Sequence, residues 1–449
     1  MIEAALCEQL PFWEFEQHPI PHAILSDGSV STGIELLPLD IECFDESRIN
    51  QLTLGLRAFT NSLPEGTTAQ FLVKVESDVE EALKKHCKLV STENEFLKRL
   101  DEKRSQHLLD QIQAESIFRP RLFFFLRTSG VQKPKAFSFG QTKKFSLEFE
   151  KNYEDQVQTL GQAIESATGI LSSLGFSTSR CERDDLVQIL YSYFNPKRSQ
   201  DIAQPTISPR LTDLDDISPR AQVVFGDLIL DREDFILDQR RTRVVTLKTL
   251  PEMTFGGMMS SFLALPFKYE LIFSFRIQDQ AKEMKALESK RRMAHSLSST
   301  ASNRVSDLES ESRLSQTTDL IRELIETGQR IYQAEMVLVL RESATIEGEK
   351  KLNLRTKEVL SRFKTLSGSE GIQETVGAWK TFKSDLPLAP LNLVRAKAMK
   401  TNNLVDFLPL YGAATGDENP VCLTKTRLGT LYSYDPYSSR LSNFNILTT

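Results

Sequence analysis

A chain of 449 residues, 40% apolar and 26% charged, has room for two to four buried cores at about 100–200 residues each. Its net charge of −6, from 55 basic against 61 acidic residues, gives no support for nonspecific attraction to nucleic acid or anionic lipid. No apolar run approaches the ~18–20 residues of a membrane span: Arg121–Arg127 is short, and Met258–Phe267 is broken by Ser260, Ser261 and Pro266.

In chain order, Ala23–Leu25 and Gly33–Leu39 read as short strands around the turn signal Ser26-Asp27-Gly28. Asp45 is a natural N-cap for a helix to about Asn61, with Ile49, Leu52, Leu56 and Phe59 at helical spacing; Leu63-Pro64-Glu65-Gly66 stops it. Gln70–Val75 is a strand, Ser77-Asp78 opens a helical stretch to about Ser116, and Pro120–Thr128 is a phenylalanine-rich strand. Gln141–Gly175 and Glu182–Phe194 add helices. Asn195–Arg220 carries Pro196, Pro205, Pro209 and Pro219, which deny it continuous helix or central strand.

The same order then returns. Asp234–Leu237 and Arg243–Leu247 are strands, Thr254–Leu265 a short apolar helix, and Lys268–Ile277 a strand; Gln278–Gln329 is mostly helical, and Ala334–Leu340 is a strand. Phe71-Leu72-Val73-Lys74-Val75 and Leu271-Ile272-Phe273-Ser274-Phe275 both run directly into long charged helices. The economical fold is α+β, two ferredoxin-like ββαβαβ units in tandem with long helical insertions. The expected divisions are 1–194, a proline-rich linker 195–225, a second unit 226–400 and a closing segment 401–449. Within Gln278–Gln329, Leu287, Ala294, Ala301 and Leu308 recur every seven residues, while Ser296–Asn303 is rich in weak helix formers. A bent helix or helical hairpin projecting as a contact arm is expected. The last thirty residues read as extended, with Val421–Leu423, Leu428–Tyr434 and Asn443–Leu447 suggesting the opening strands of a further domain.

No constellation of reactive residues emerges. His18 and His22 have ligand-like spacing, but Pro19 and Pro21 intervene and no zinc pattern accompanies them. His86-Cys87 reads as a surface or half-buried pair on a charged helix. Asp184-Asp185 fits a helix start, and Asp215-Asp216 lies in the proline-rich stretch; neither has a partner to tune it. There is no GxSxG and no GxxxxGK[ST]; Gly368, Gly371 and Gly377 before Lys380 have the wrong spacing, and Leu228-Ile229-Leu230-Asp231 imitates a Walker B strand by chance. Phe123 and Phe125 fall on one strand face and Phe124 on the other, which favours core packing over base stacking. Cys7, Cys43, Cys87, Cys181 and Cys422 are widely scattered, which suits a reducing cytoplasm, and the start Met1–Glu8 lacks a secretory signal. No catalytic, cofactor-binding or metal-ligating residue is assigned.

The closing stretch carries a specific likeness. Lys400–Gly412, Thr426–Leu431, Tyr434-Asp435-Pro436-Tyr437 and Asn443-Phe444-Asn445 closely resemble TraC-like conjugation ATPases of type IV secretion systems. Leu36–Cys43, Asn50-Gln51-Leu52, Leu63–Gly66 before Gln70-Phe71, and Ser384–Pro390 agree in order. In that family the run leads into a Walker A loop and a RecA-like motor, so ATP and Mg are expected only with that motor. The resemblance implies an N-terminal docking and assembly region without hydrolysis of its own, cytoplasmic and peripheral to the inner membrane. Its implied partners are inner-membrane secretion components and further copies of itself, without direct nucleic acid binding. One piece of a split ATPase, or an unrelated tandem interaction module, are the competing expectations.

Overall fold

The computed structural model describes residues 5–77, 80–89, 92–130, 142–207, 219–300, 308–390 and 392–439. Its first eleven elements are β1 (Phe12–Glu16), β2 (His22–Leu25), β3 (Val30–Leu36), α1 (Glu46–Ser62), β4 (Thr68–Glu76), α2 (Glu80–Leu89), α3 (Glu95–Gln113), β5 (Arg119–Arg127), α4 (Thr142–Ser173), β6 (Thr178–Arg180) and α5 (Arg183–Phe194). Short helices α6 (Arg198–Asp201) and α7 (Pro219–Val223) follow. Local chemistry sets many of these boundaries. Asp45 caps α1 by accepting from the Arg48 N–H at 2.8 Å, and Glu182 with Asp185 forms a reciprocal capping box on α5. The helical stretch after Ser77 is two helices rather than one, because the Asn94 side chain accepts from the Phe96 and Leu97 N–H groups and starts α3 afresh.

The second half repeats the first element for element: β7 (Leu228–Leu230), β8 (Phe235–Leu237), β9 (Arg240–Thr249), α8 (Met259–Leu263), β10 (Glu270–Ile277), α9 (Gln280–Thr300), α10 (Leu308–Thr327), β11 (Ile331–Ser343), α11 (Ile346–Thr365), β12 (Glu370–Gln373) and α12 (Ala378–Ser384). α8 is shorter than the expected Thr254–Leu265, because the chain turns at Gly256-Gly257 against α1. A Cβ on Gly256 would meet Thr53 Oγ1 at 2.7 Å, and Gly257 has φ +82°. A closing segment holds β13 (Asp385–Leu386), β14 (Ala389–Pro390), β15 (Lys397–Lys400), α13 (Thr401–Asp406), β16 (Cys422–Lys425) and β17 (Leu431–Tyr434). Asn443–Leu447 lies outside the described residues.

The fold is a mixture of helices with antiparallel sheet. In each half two strands joined through a helix flank a third: β5 separates β3 from β4 and is antiparallel to both, and β11 separates β9 from β10 in the same way. The halves meet edge to edge where β4 pairs with β10, so one path runs β1-β2-β3-β5-β4-β10-β11-β9-β8-β7, with β6 on β3, β12 on β9 and β15 on β11. This order reads the same from either end once the halves are exchanged. The local two-fold passes between Leu72 and Ile272, which are cross-strand partners.

Strand alternation gives the sheet two buried faces. Phe71, Phe124, Phe273 and Met336 face α1, α4, α8, α11 and α13, while Leu72, Phe123, Phe125, Ile272 and Val337 face α5, α12 and the β13–β14 turn. The phenylalanines of β5 therefore split between two cores. With helices on both faces, the sheet is a buried middle layer.

Candidate functional site

The two halves each extend a pair of helices from the sheet, and the pairs are treated differently. α2–α3 follows β4 and α9–α10 follows β10; because these strands are antiparallel, the pairs leave from opposite sheet ends. The expected arm over Gln278–Gln329 is a helical hairpin, with α9 and α10 packed on one another. Leu287 and Ala294 are half-buried along its inner side, whereas Ala301 lies outside the described residues. The charges of α9 are sorted: Glu283 and Glu288 are half-buried, while Lys282, Lys285, Lys290, Arg291 and Arg292 are exposed. Met293 and Ile325 stand 64% and 69% exposed, large apolar groups on the open surface of the arm.

The other pair is clasped. After β15 joins β11 and α13 packs on α1, the chain crosses the first half: Leu39 N–H donates to Leu410 C=O at 2.9 Å, and Gly412 N–H donates to Leu39 C=O at 3.1 Å. That use of Leu39 is one reason β3 stops at Leu36 instead of running to Leu39. Farther on, Phe118 N–H donates to Gly429 C=O at 2.8 Å, and Arg104 Nη2 donates to Leu423 C=O at 2.8 Å. Leu423 joins Leu83, Leu108 and Ile117 in a small core of its own, with Ile112 and Leu431 beside it. The β16–β17 hairpin is thus a strap over α2–α3. A residual apolar cavity of about 40 Å³, lined in part by Pro38, Val73, Phe118, Tyr411 and Leu428, remains under it. Toward α9–α10 the same segment bonds at the root: Lys400 Nζ bonds both Glu323 carboxylate oxygens at 2.7 and 2.8 Å, and Asn402 N–H donates to Gln329 Oε1 at 3.2 Å.

A polar cluster holds the seam between the halves. Gln70 and Ser274 are cross-strand partners on β4 and β10, and both donate to Asp385 Oδ1, at 3.1 and 2.5 Å. Gln70 also donates to Leu386 C=O at 3.1 Å and accepts the Leu388 N–H at 3.0 Å. These bonds hold Leu388 at φ +67°, a conformation leucine rarely takes. Arg127 reaches the Pro390 C=O at 2.6 Å and pairs with Asp27. On the second half, Arg395 donates its backbone N–H to Glu335 Oε2 at 3.0 Å and grips Glu374 with Nε and Nη2 at 2.7 and 3.0 Å. Burial pushes the Glu374 carboxyl up, but its bonds from Arg395 and Thr246 outweigh that and leave it lowered.

The histidines, acids and glycines singled out in the sequence do not converge. His22 is buried between Ile20 C=O and Tyr153 Oη, both at 2.7 Å, and burial lowers its pKa despite the carbonyl contact and nearby Glu16. His86 is buried, not on the surface: it bridges Pro420 C=O at 2.7 Å and Asp101 at 3.0 Å, so it belongs to the strap's seat, while Cys87 is exposed. Asp184 and Asp185 start α5 as expected, and Asp215 and Asp216 lie outside the described residues. Leu228–Leu230 is the edge strand β7, and Gly371 lies in β12. Among the described residues no three His, Cys, Asp or Glu side chains form a metal-holding group, and no helix is long and apolar enough to cross a membrane. Gln70, Glu335 and Asp385 escaped sequence reading because a single polar residue in a strand gives no periodic signal. The only cue was the Ser384–Pro390 run.

The family model described as TraC protein matches residues 23–390, from β2 through β14. The chain belongs to the TraC protein family. That family is one of conjugative transfer, and both helical pairs, the β4–β10 seam and Asp385 fall within the matched region, while β1, β15, Arg395 and the strap lie outside it. A search of curated proteins finds no match to the chain.

Proposed function

We propose that this TraC-family chain is the docking and assembly region of a conjugative type IV secretion ATPase, and that it positions a motor at the inner-membrane secretion complex. The observation that carries the reading is the unequal treatment of the two helical pairs. The strap seats on one side of α2–α3, whose other surface still exposes Phe96, Leu97 and Leu100, whereas α9–α10 has no strap and exposes Met293 on α9, a helix with five exposed cations, and Ile325 on α10. Large apolar groups framed by charge suit a protein interface. The ββαβαβ order, with a split βαβ in each half, supports reading the halves as two ferredoxin-like units. On this reading the chain is peripheral to the inner membrane through its partners, associates with further copies of itself and binds nucleic acid only indirectly. It turns over no ATP, because its sequence contains no GxxxxGK[ST] to cradle phosphate.

Co-purification with inner-membrane secretion components tests the docking half. The native chain should capture them, and Met293→Asp with Ile325→Asp should abolish capture while the melting curve stays put. Equal capture by both proteins would remove the arm from the interface. Steady ATP turnover by purified residues 1–449 would defeat the non-enzymatic half.

A further inference from the structure

The seam contains two carboxyls that the docking reading does not use. Asp385 and Glu335 are each 1% exposed. Asp385 spends Oδ1 on Ser274 and Gln70, while its Oδ2 is buried with no hydrogen-bond partner. Glu335 spends Oε2 on the Arg395 N–H, while its Oε1 is likewise buried and unpartnered. They converge on one place. Ser274 is the cross-strand partner of Glu335, and the same Ser274 donates to Asp385 at 2.5 Å.

We propose that Glu335 and Asp385 hold a single proton between them, and that this proton closes the β13–β14 turn onto the seam between the two halves. Two buried carboxylates side by side would leave two acceptor oxygens without donors and two like charges without water, each costly in a dry interior. One proton changes both terms. A protonated Glu335 Oε1 supplies the donor Asp385 Oδ2 lacks, still accepts the Arg395 N–H through Oε2, and leaves one negative charge in the pocket instead of two.

The surroundings favour retention of that proton. Burial, Asp385 and the Glu374 carboxylate that Arg395 grips push Glu335 up, and they prevail over Arg395, which lowers it through its N–H bond and its charge. From α5, Tyr193 lies within electrostatic reach of Asp385, and its own pKa is raised by burial. Arg127 is committed to Asp27, Ser29 and the Pro390 carbonyl. Gln70 and Ser274 are neutral, and against the burial that raises Asp385 their bonds to Oδ1 lower it, which suits Asp385 to be the ionised member and Glu335 the protonated one. Burial is the leading cause raising both carboxyls, and the charge of Asp385 then raises Glu335 further, to about 8. The two-fold frames the comparison. Lys74 occupies in β4 the place of Ser274 in β10, so Arg121, the partner of Lys74, stands where Glu335 stands in the other half. There a cation meets Glu35 at 2.7 Å, and no proton is needed.

The sign of the pH dependence follows. Unfolded, both carboxyls ionise in the ordinary carboxylate range; folded, the pair binds one more proton over the interval up to the raised value. Its stabilisation is complete below the ordinary range and drains away as pH rises through the folded pKa. The native chain should therefore lose melting temperature from about pH 5 to about pH 9, and Glu335→Gln, whose amide donates permanently, should flatten that fall. Infrared spectroscopy on the native chain decides independently of any variant. Labelling with carboxyl-¹³C glutamate and aspartate should show a protonated-carboxyl band at neutral pH that bleaches as the pH is raised. If every side-chain carboxyl is ionised at neutral pH, the proposal fails and the two oxygens are served by water or a cation instead.

Discussion

The two helical pairs occupy equivalent places in a repeated fold and have opposite fates. α2–α3 gains a third layer, since β16–β17 lies across it and buries Leu83, Leu108, Ile117 and Leu423 together. α9–α10 receives from the same segment an ion pair and backbone bonds at its root, and its outer surface keeps Met293 and Ile325 in solvent. Equal topology therefore does not imply equal packing. The strap gives α2–α3 a small core on one side, while the other side of that pair, with Phe96 and Leu100, and the surface of α9–α10 both keep large apolar groups exposed.

That contrast can be broken most severely at the strap. Leu423→Ala should cost about 2–4 kcal/mol, because it empties a small core that has few neighbours to collapse into the space. Hydrogen exchange should quicken in α2–α3 and leave α9–α10 unchanged; protection lost equally in both pairs would show that they are one unit. His86→Ala should cost roughly 1–3 kcal/mol by leaving Asp101 and the Pro420 carbonyl unserved, with the loss again confined to the strap's seat in a denaturant titration.

At the free arm the expected effects are smaller. Lys400→Ala removes the tether to Glu323, a partly exposed pair worth under about 1 kcal/mol once solvent screening is counted. The bond from Lys400 lowers the Glu323 pKa, so the tether is present above the ordinary glutamate range and is lost as pH falls through the depressed value. Faster exchange in α10 at acid pH in the native chain, absent from the Lys400→Ala variant, would show this directly. Smallest of all, Met293→Asp should shift stability by no more than about 0.5 kcal/mol, since the side chain is exposed. Its effect belongs in partner capture, and a large stability change would mean that the arm is buried in the free protein.

Much of the element order was legible because local chemistry writes it. Asp45 before Ile49, Leu52, Leu56 and Phe59 announces α1, and the Phe-rich strand β5 announces itself by composition. The helical arm was legible from its charged length, but the weak helix formers Ser296–Thr300 are still part of α9, and the rest of that run lies outside the described residues. β6 and β12 were not, because strands as short as Thr178–Arg180 have too few residues to show alternation. His86 was misjudged because burial depends on Pro420 arriving from far along the chain.

The repeated order of elements, the capped helices, the two-faced phenylalanine strands and the family likeness were legible in the chain, because each is read from short local runs, compared where needed between the halves. It took the folded chain to show that β4 and β10 fuse the halves, that the closing strands clasp α2–α3, and that Ser274 has both Glu335 and Asp385 as neighbours. Strand pairing and burial are set by residues hundreds of positions apart, and the free energy that selects them exists only once both sides are in contact.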